Sequence, residues 1–258
     1  LKTLVGEFDA HDVPLDVLVI DMDWHLDGWT GYSWNPQFFP DPAGFLDWTE
    51  KQGLKATLNL HPHDGVGGHE ARFAEFARAV GQDPQQIDRV PFDCADPDYM
   101  RAYFEILHHP KERMGVDFWW LDWQQGEASR IPGLDPLFWL NHLHWRDMAT
   151  NPDRAGKRPL IFSRWGGLGN HRYQIGFSGD TFCNWASLAF QPYFTATAGN
   201  VGFAYWSHDI GGDPPRAGGP ELYTPRGAVG GVHPSPRTPP THKAGAGGRG
   251  WGIFTPYF

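Results

Sequence analysis

GVDFWWLDWQQG, residues 115–126, packs Phe118, Trp119, Trp120 and Leu121 into one unbroken apolar run before it meets Asp122. A short apolar run opened by a glycine, with no polar alternation, is the pattern of a strand buried on both faces, as in a parallel sheet covered by helices. A carboxylate at the end of such a run is costly to strip of water and is rarely found there without a task. YQIGFSGDT, residues 173–181, has the same construction and closes on Asp180.

The pattern recurs in both directions along the chain. VPLDVLVIDMDW (13–24), GLKATLNLHP (53–62), PLIFSR (159–164) and VGFAYWSHD (201–209) add four more strands. Helical patterns fall between them at 42–52, 69–80, about 97–108, 136–149 and 184–198, with Phe73, Phe76, Ala77 and Val80 on one face of the second. Strands alternating with helices predict parallel βαβ units. The six strands end on Asp21, His61, Asp122, Arg164, Asp180 and Asp209, which a closed parallel barrel gathers at its C-terminal rim, the active-site face of that architecture. A doubly wound open sheet is the competing layout, but it calls for a reversal of strand order and a glycine-rich loop after the first strand, and no such loop is present. The predicted fold is therefore α/β, a partial (β/α)8 TIM-barrel with a parallel sheet containing about strands two to seven, over residues 1–224. Residues 225–258 are dense in Gly, Pro and Arg and are expected to be irregular.

Composition narrows the function classes. A net charge of −9 argues against nucleic-acid or anionic-membrane partners. Thirteen tryptophans are many for 258 residues; most are expected in the core, and some suit stacking against sugar rings. Cys94 and Cys183 are too few for a disulfide framework. No apolar run approaches the roughly 20 residues of a membrane-spanning helix, and LKTLVGEF lacks a signal-peptide layout. The start is expected to be that of an excised or incomplete piece, at the helix before the second barrel strand. Compartment and oligomeric state are not legible.

PLDVLVIDMDW, the GLK strand, FWWLDW, FSRWGGLG, FSGDT and WSHDIGG stand in one order and together resemble the catalytic barrel of glycoside hydrolase family 31, the retaining α-glycosidases, over residues 1 to about 224. The resemblance implies Asp122 as nucleophile and Asp180 as general acid/base. It implies sugar contacts from Asp21, Arg164 and Asp209, with Trp120 and Phe177 as aromatic walls. His61 and His208 are further candidates for the pocket, and His61 is equally expected to be packed at the rim. The implied activity is exo-acting hydrolysis of terminal α-linked sugars, α-glucosides first, with a carbohydrate as the only implied partner and neither cofactor nor metal. Retention needs two carboxyl groups about 5–5.5 Å apart, one ionised and one protonated. Asp122 is expected to stay charged if Arg164 or backbone N–H groups reach it, while Phe177, Phe182 and Trp185 push Asp180 toward neutrality. The plain structural alternative is that each Asp caps the helix after its strand.

Two other classes stay open. His61 and His63 have the HxH spacing that begins a binuclear site in amidohydrolase-like barrels, although a strand ending in arginine offers no ligand. A sugar-binding module without catalysis needs the aromatics and not the acid pair. The chain also departs from the family. DWQQG replaces the common DMNE phrase after the nucleophile strand, so the leaving-group side is expected to differ, and α-xylosides, α-galactosides and α-N-acetylgalactosaminides stay open as substrates. Where FSPxxRxHS is expected, GVHPSPRTPPTHK stands instead, as a local reading-frame disturbance would leave it, with WGIFTPYF resuming the family's phrasing. His233 and His242 are therefore given no role.

Overall fold

The computed structural model describes residues 1–122, 129–164, 166–173, 175–179, 181–182, 184–208, 221–222, 225, 237–238 and 250–253. Its strands are β1 (Val17–Ile20), β2 (Lys55–Leu60), β3 (Val66–Gly67), β4 (Arg89–Val90), β5 (Phe118–Leu121), β6 (Ile161–Ser163), β7 (Ile175–Phe177), β8 (Trp206–Ser207), β9 (Arg237–Thr238) and β10 (Gly250–Ile253). The helices are α1 (Lys2–Ala10), α2 (Pro42–Lys51), α3 (Phe73–Ala79), α4 (Pro97–Ala102), α5 (His109–Met114), α6 (Pro136–Thr150) and α7 (Trp185–Asn200).

The main sheet has the order β8-β7-β6-β5-β2-β1-β10-β9. From β1 to β8 every pairing is parallel. The strands predicted from the sequence thus lie side by side in chain order and never double back. That is the winding of a (β/α) barrel wall; a doubly wound sheet reverses. The small β3–β4 pair is antiparallel and stands apart.

Local signals explain where the helices start. Asp41, Asp135 and Asn184 cap α2, α6 and α7, accepting the backbone N–H groups of Gly44, Phe138 and Ser187 at 3.0, 2.7 and 2.8 Å. Proline occupies the first turn of α2, α4 and α6, where its missing N–H costs nothing. All four residues of β1 and of β5 are buried, as expected of strands covered on both faces.

Three boundaries differ from the sequence reading. Helix 69–80 begins only at Phe73, and Glu70 before it accepts from Tyr32 N–H and Ser33 Oγ of a neighbouring loop. Helix 97–108 passes through a π-helical turn at Tyr103–His108 and continues as α5, since Pro110 falls in a first turn and so extends the helical run. In the segment expected to be irregular, β10 pairs antiparallel with β1, and β9 with β10. No described helix is long and apolar enough to cross a membrane.

Candidate active site

Sheet register builds the site. Leu60 of β2 is level with Leu121 of β5, which is level with Ser163 of β6. One residue further along stand His61, Asp122 and Arg164. Side chains alternate along a strand, so these three share a face with Asn59, Trp120 and Phe162 one layer deeper.

Asp122 is 5 % exposed and is held from the two strands that flank its own, β2 and β6. Arg164 Nε donates to its Oδ1. Its Oδ2 accepts from Asn59 Nδ2 at 3.3 Å and lies 3.1 Å from His61 Nε2. Arg164, His61 and Asn59 are themselves buried. A carboxylate with one guanidinium and two further side-chain nitrogens around it is stabilised in its charged form, the state an attacking carboxylate needs.

Aromatic rings line the layer below. The Trp120 ring lies 5.6 Å from that of Phe162 and 5.7 Å from that of Phe177, and the Arg164 guanidinium carbon is 5.4 Å from the Phe177 centroid. Trp120 and Phe177 are 3 % and 1 % exposed, so they form a floor beneath the carboxylate. Above it, the Trp29 ring lies 4.6 Å from the His61 ring, and Thr30 Oγ1 donates to the His61 carbonyl. Trp34, by contrast, packs inward against Trp24 at 5.2 Å.

Among the other sequence candidates, Asp21 is buried at the end of β1, and its Oδ1 accepts from Met22 N–H at 2.8 Å to open a single 3-10 turn. Asp21 thus caps the turn that follows its own strand. His208 is buried, with Nε2 at 2.7 Å from Thr195 Oγ1 of α7, so this ring nitrogen faces the helix layer. Asp180 and Asp209 lie outside the described residues. Of the aromatics that flank Asp180 in sequence, Phe177 is buried, whereas Phe182 and Trp185, at the loop and the first turn of α7, are 76 % and 54 % exposed. The HxH pair does not converge. His61 faces Asp122, while His63 is a surface residue with Nδ1 at 2.9 Å from Asp64 Oδ1.

Two contributors were missed from the sequence. Asn59 is fully buried and supplies a cradle donor; a polar residue two positions before His61 in KATLNLH was the available signal. Glu70 is buried and fixes the loop that carries Trp29 and Thr30, accepting from Tyr32 N–H at 3.0 Å and Ser33 Oγ at 2.6 Å. The backbone of Gly31 passes so close that a Cβ there would lie 2.6 Å from Glu70 Oε1. Nothing local in the sequence announces that contact.

Known proteins share the sequence pattern and the fold. The chain is 24 % identical over 237 residues to an α-xylosidase of Saccharolobus solfataricus, which covers 82 % of this chain and 31 % of the relative. It is 25 % identical over 237 residues to human neutral α-glucosidase AB, covering 80 % and 25 % of the two chains. The chain thus spans about a third or less of the length of these curated relatives. Among solved structures, a family 31 α-glucosidase from Bacteroides thetaiotaomicron superposes with a TM-score of 0.69 at 21 % identity, over 90 % of this chain and 42 % of that one. An α-xylosidase from Xanthomonas citri gives 0.70 at 20 %, over 89 % and 29 %. The description "Glycosyl hydrolases family 31 TIM-barrel domain" matches residues 1–238, and the chain belongs to that family.

Proposed function

We propose that the protein is a retaining exo-α-glycosidase that releases terminal α-linked sugars, with Asp122 as nucleophile and Asp180 as general acid/base. The observation that carries the reading is the Asp122 cradle: a buried carboxylate at a strand end, kept anionic by Arg164, His61 and Asn59. In this reading Asp122 attacks the anomeric carbon while Asp180 gives its proton to the departing oxygen. Water then opens the glycosyl ester with Asp180 acting as base, and two inversions return the original anomeric configuration. Trp120 and Phe177 form the apolar floor of the sugar site, and Asp21, Arg164, His208 and Asp209 contact its hydroxyls. His61 serves the carboxylate in place of the sugar, because its Nε2 already faces Asp122.

α-Glucosides remain the first substrate class, with α-xylosides beside them since relatives named for both activities match the chain. The test is hydrolysis of aryl α-glucoside and aryl α-xyloside followed by NMR of the first-formed product. Retention is expected, together with a loss of several orders of magnitude in turnover for Asp122→Asn. Inversion, or an active Asp122→Asn enzyme, would reject the assigned roles.

A further inference from the structure

We propose that His109, Glu112 and Asp147 form a structural divalent-cation site, of the zinc or manganese class, on the outer helix layer. His109 and Glu112 are three residues apart on α5, so both project from one helix face, and Asp147 comes from the facing α6. One ligand atom from each lies within 4.8 Å of the others. His109 Nε2 is 3.1 Å from Asp147 Oδ1 and 3.0 Å from Oδ2. Two donors each about 2.1 Å from a zinc or manganese ion and separated by that gap subtend an angle close to 90°, an ordinary ligand angle.

Outer donors already orient the third ligand. Trp119 Nε1 donates to Glu112 Oε1 at 2.8 Å, and Asn151 Nδ2 to Oε2 at 3.2 Å. Each carboxylate oxygen keeps a second lone pair for an ion, and such outer-shell partners commonly fix metal ligands in place. Charge points the same way. Two carboxylates leave the cluster with one excess negative charge even when the imidazole is protonated, and a divalent ion on the neutral ring cancels it. The His109 and Asp147 side chains are 17 % and 18 % exposed, which leaves a route in and room for water ligands. Imidazole with two carboxylates suits zinc or manganese better than magnesium, which prefers oxygen alone.

The place is remote from the Asp122 cradle. Glu112 and Asn151 lie next to the segments that lead into β5 and β6, at the opposite end of the strands from the rim. An ion here pins α5 to α6 at the face of a barrel that serves stability.

The test is calorimetric titration of the full chain with zinc chloride and with manganese chloride at neutral pH in a non-chelating buffer. One equivalent is expected to bind saturably at micromolar ion, and His109→Ala and Glu112→Gln each weaken it at least about tenfold. Asn151→Ala, which touches no ion, is expected to weaken it by about tenfold through Glu112. The paired surface change His63→Ala with His69→Ala leaves binding unchanged. No saturable binding below millimolar ion, or binding that survives both ligand variants, overturns the site. Loss of binding in the surface pair instead places the ion elsewhere and overturns it equally. Glu112→Gln keeps the side chain's size, so the result stands if His109→Ala does not fold.

Discussion

Acid should destabilise this domain before its carboxylates are protonated, because several histidines are buried in neutral form. His144 is fully buried with Nε2 at 3.0 Å from Tyr103 Oη, and burial lowers its pKa to about 3. Burial first, then the neighbouring His144, pushes His108 well below its ordinary value; its Nδ1 lies 2.7 Å from the Tyr103 carbonyl. His25 is lowered chiefly by burial, then by His61 and Lys111, and neither of its ring nitrogens has a partner among the described residues. The unfolded chain binds a proton at each of these sites below about pH 6.5, while the folded chain does not. The unfolded state then carries more protons, so stability falls as pH falls. At pH 5.5 each histidine costs roughly 1 to 2 kcal/mol, and together they reach about 4 kcal/mol. A typical domain has about 5–15 kcal/mol in all. His109 works in the opposite sense, raised first by its hydrogen bond to Asp147, and offsets part of the loss. Urea unfolding at pH 7.5 and 5.5 measures the difference. His144→Gln keeps an acceptor for Tyr103 but cannot titrate, so the pH-dependent drop should shrink by about a third. A free energy of unfolding that is flat or higher at pH 5.5 refutes the reasoning.

Further outcomes follow from single contacts. His61→Leu removes one donor from the Asp122 carboxylate, and one charge-assisted hydrogen bond of about 1.5–3 kcal/mol corresponds to a turnover loss of roughly ten- to hundredfold; His61→Gln, which can still donate, should lose less in the same aryl-glycoside assay. Lys111 is buried, its pKa lowered to about 8 chiefly by burial, with Nζ donating to the Leu107 carbonyl at 2.8 Å. A lysine lowered in this way burdens the fold more as pH falls from about 10 toward 8, so Lys111→Met should raise the free energy of unfolding measured in urea at pH 7 by roughly 1–2 kcal/mol. Gly65 has φ 74° and a Cβ there would lie 2.1 Å from the Val90 carbonyl, whereas Gly81, at the same φ, has open space. Gly65→Ala should therefore cost several kcal/mol and Gly81→Ala only about 1 kcal/mol in thermal or urea unfolding.

The barrel strands were legible because strands covered on both faces must be apolar throughout, and VLVI, FWWL and IFS carry that demand openly. The rim position of Asp122 followed from the same runs, since each ends where the chain leaves the sheet. The β3–β4 pair was not legible: two residues per strand are too few to show any period. The helix expected at about 97–108 runs on past that point, because Pro110 sits in the first turn of α5. Asn59 and Glu70 escaped for a different reason. Their partners lie 63 and 37 or more residues away, and a sequence shows which groups need a partner before it shows where the partner is.

The Asp122 cradle also works as a check on strand alignment. Its nitrogens come from β2 and from the residue after β6, while the carboxylate follows β5 between them. If β2 slid by one residue, Asn59 and His61 would both swing to the helix side of the wall, and the buried anion would lose both of the nitrogens that β2 brings to it. Apolar strands such as these pack almost equally well in several alignments. A single charge that tolerates only one of them makes the slipped states expensive, so the group proposed to do the chemistry also helps dictate how the wall is assembled.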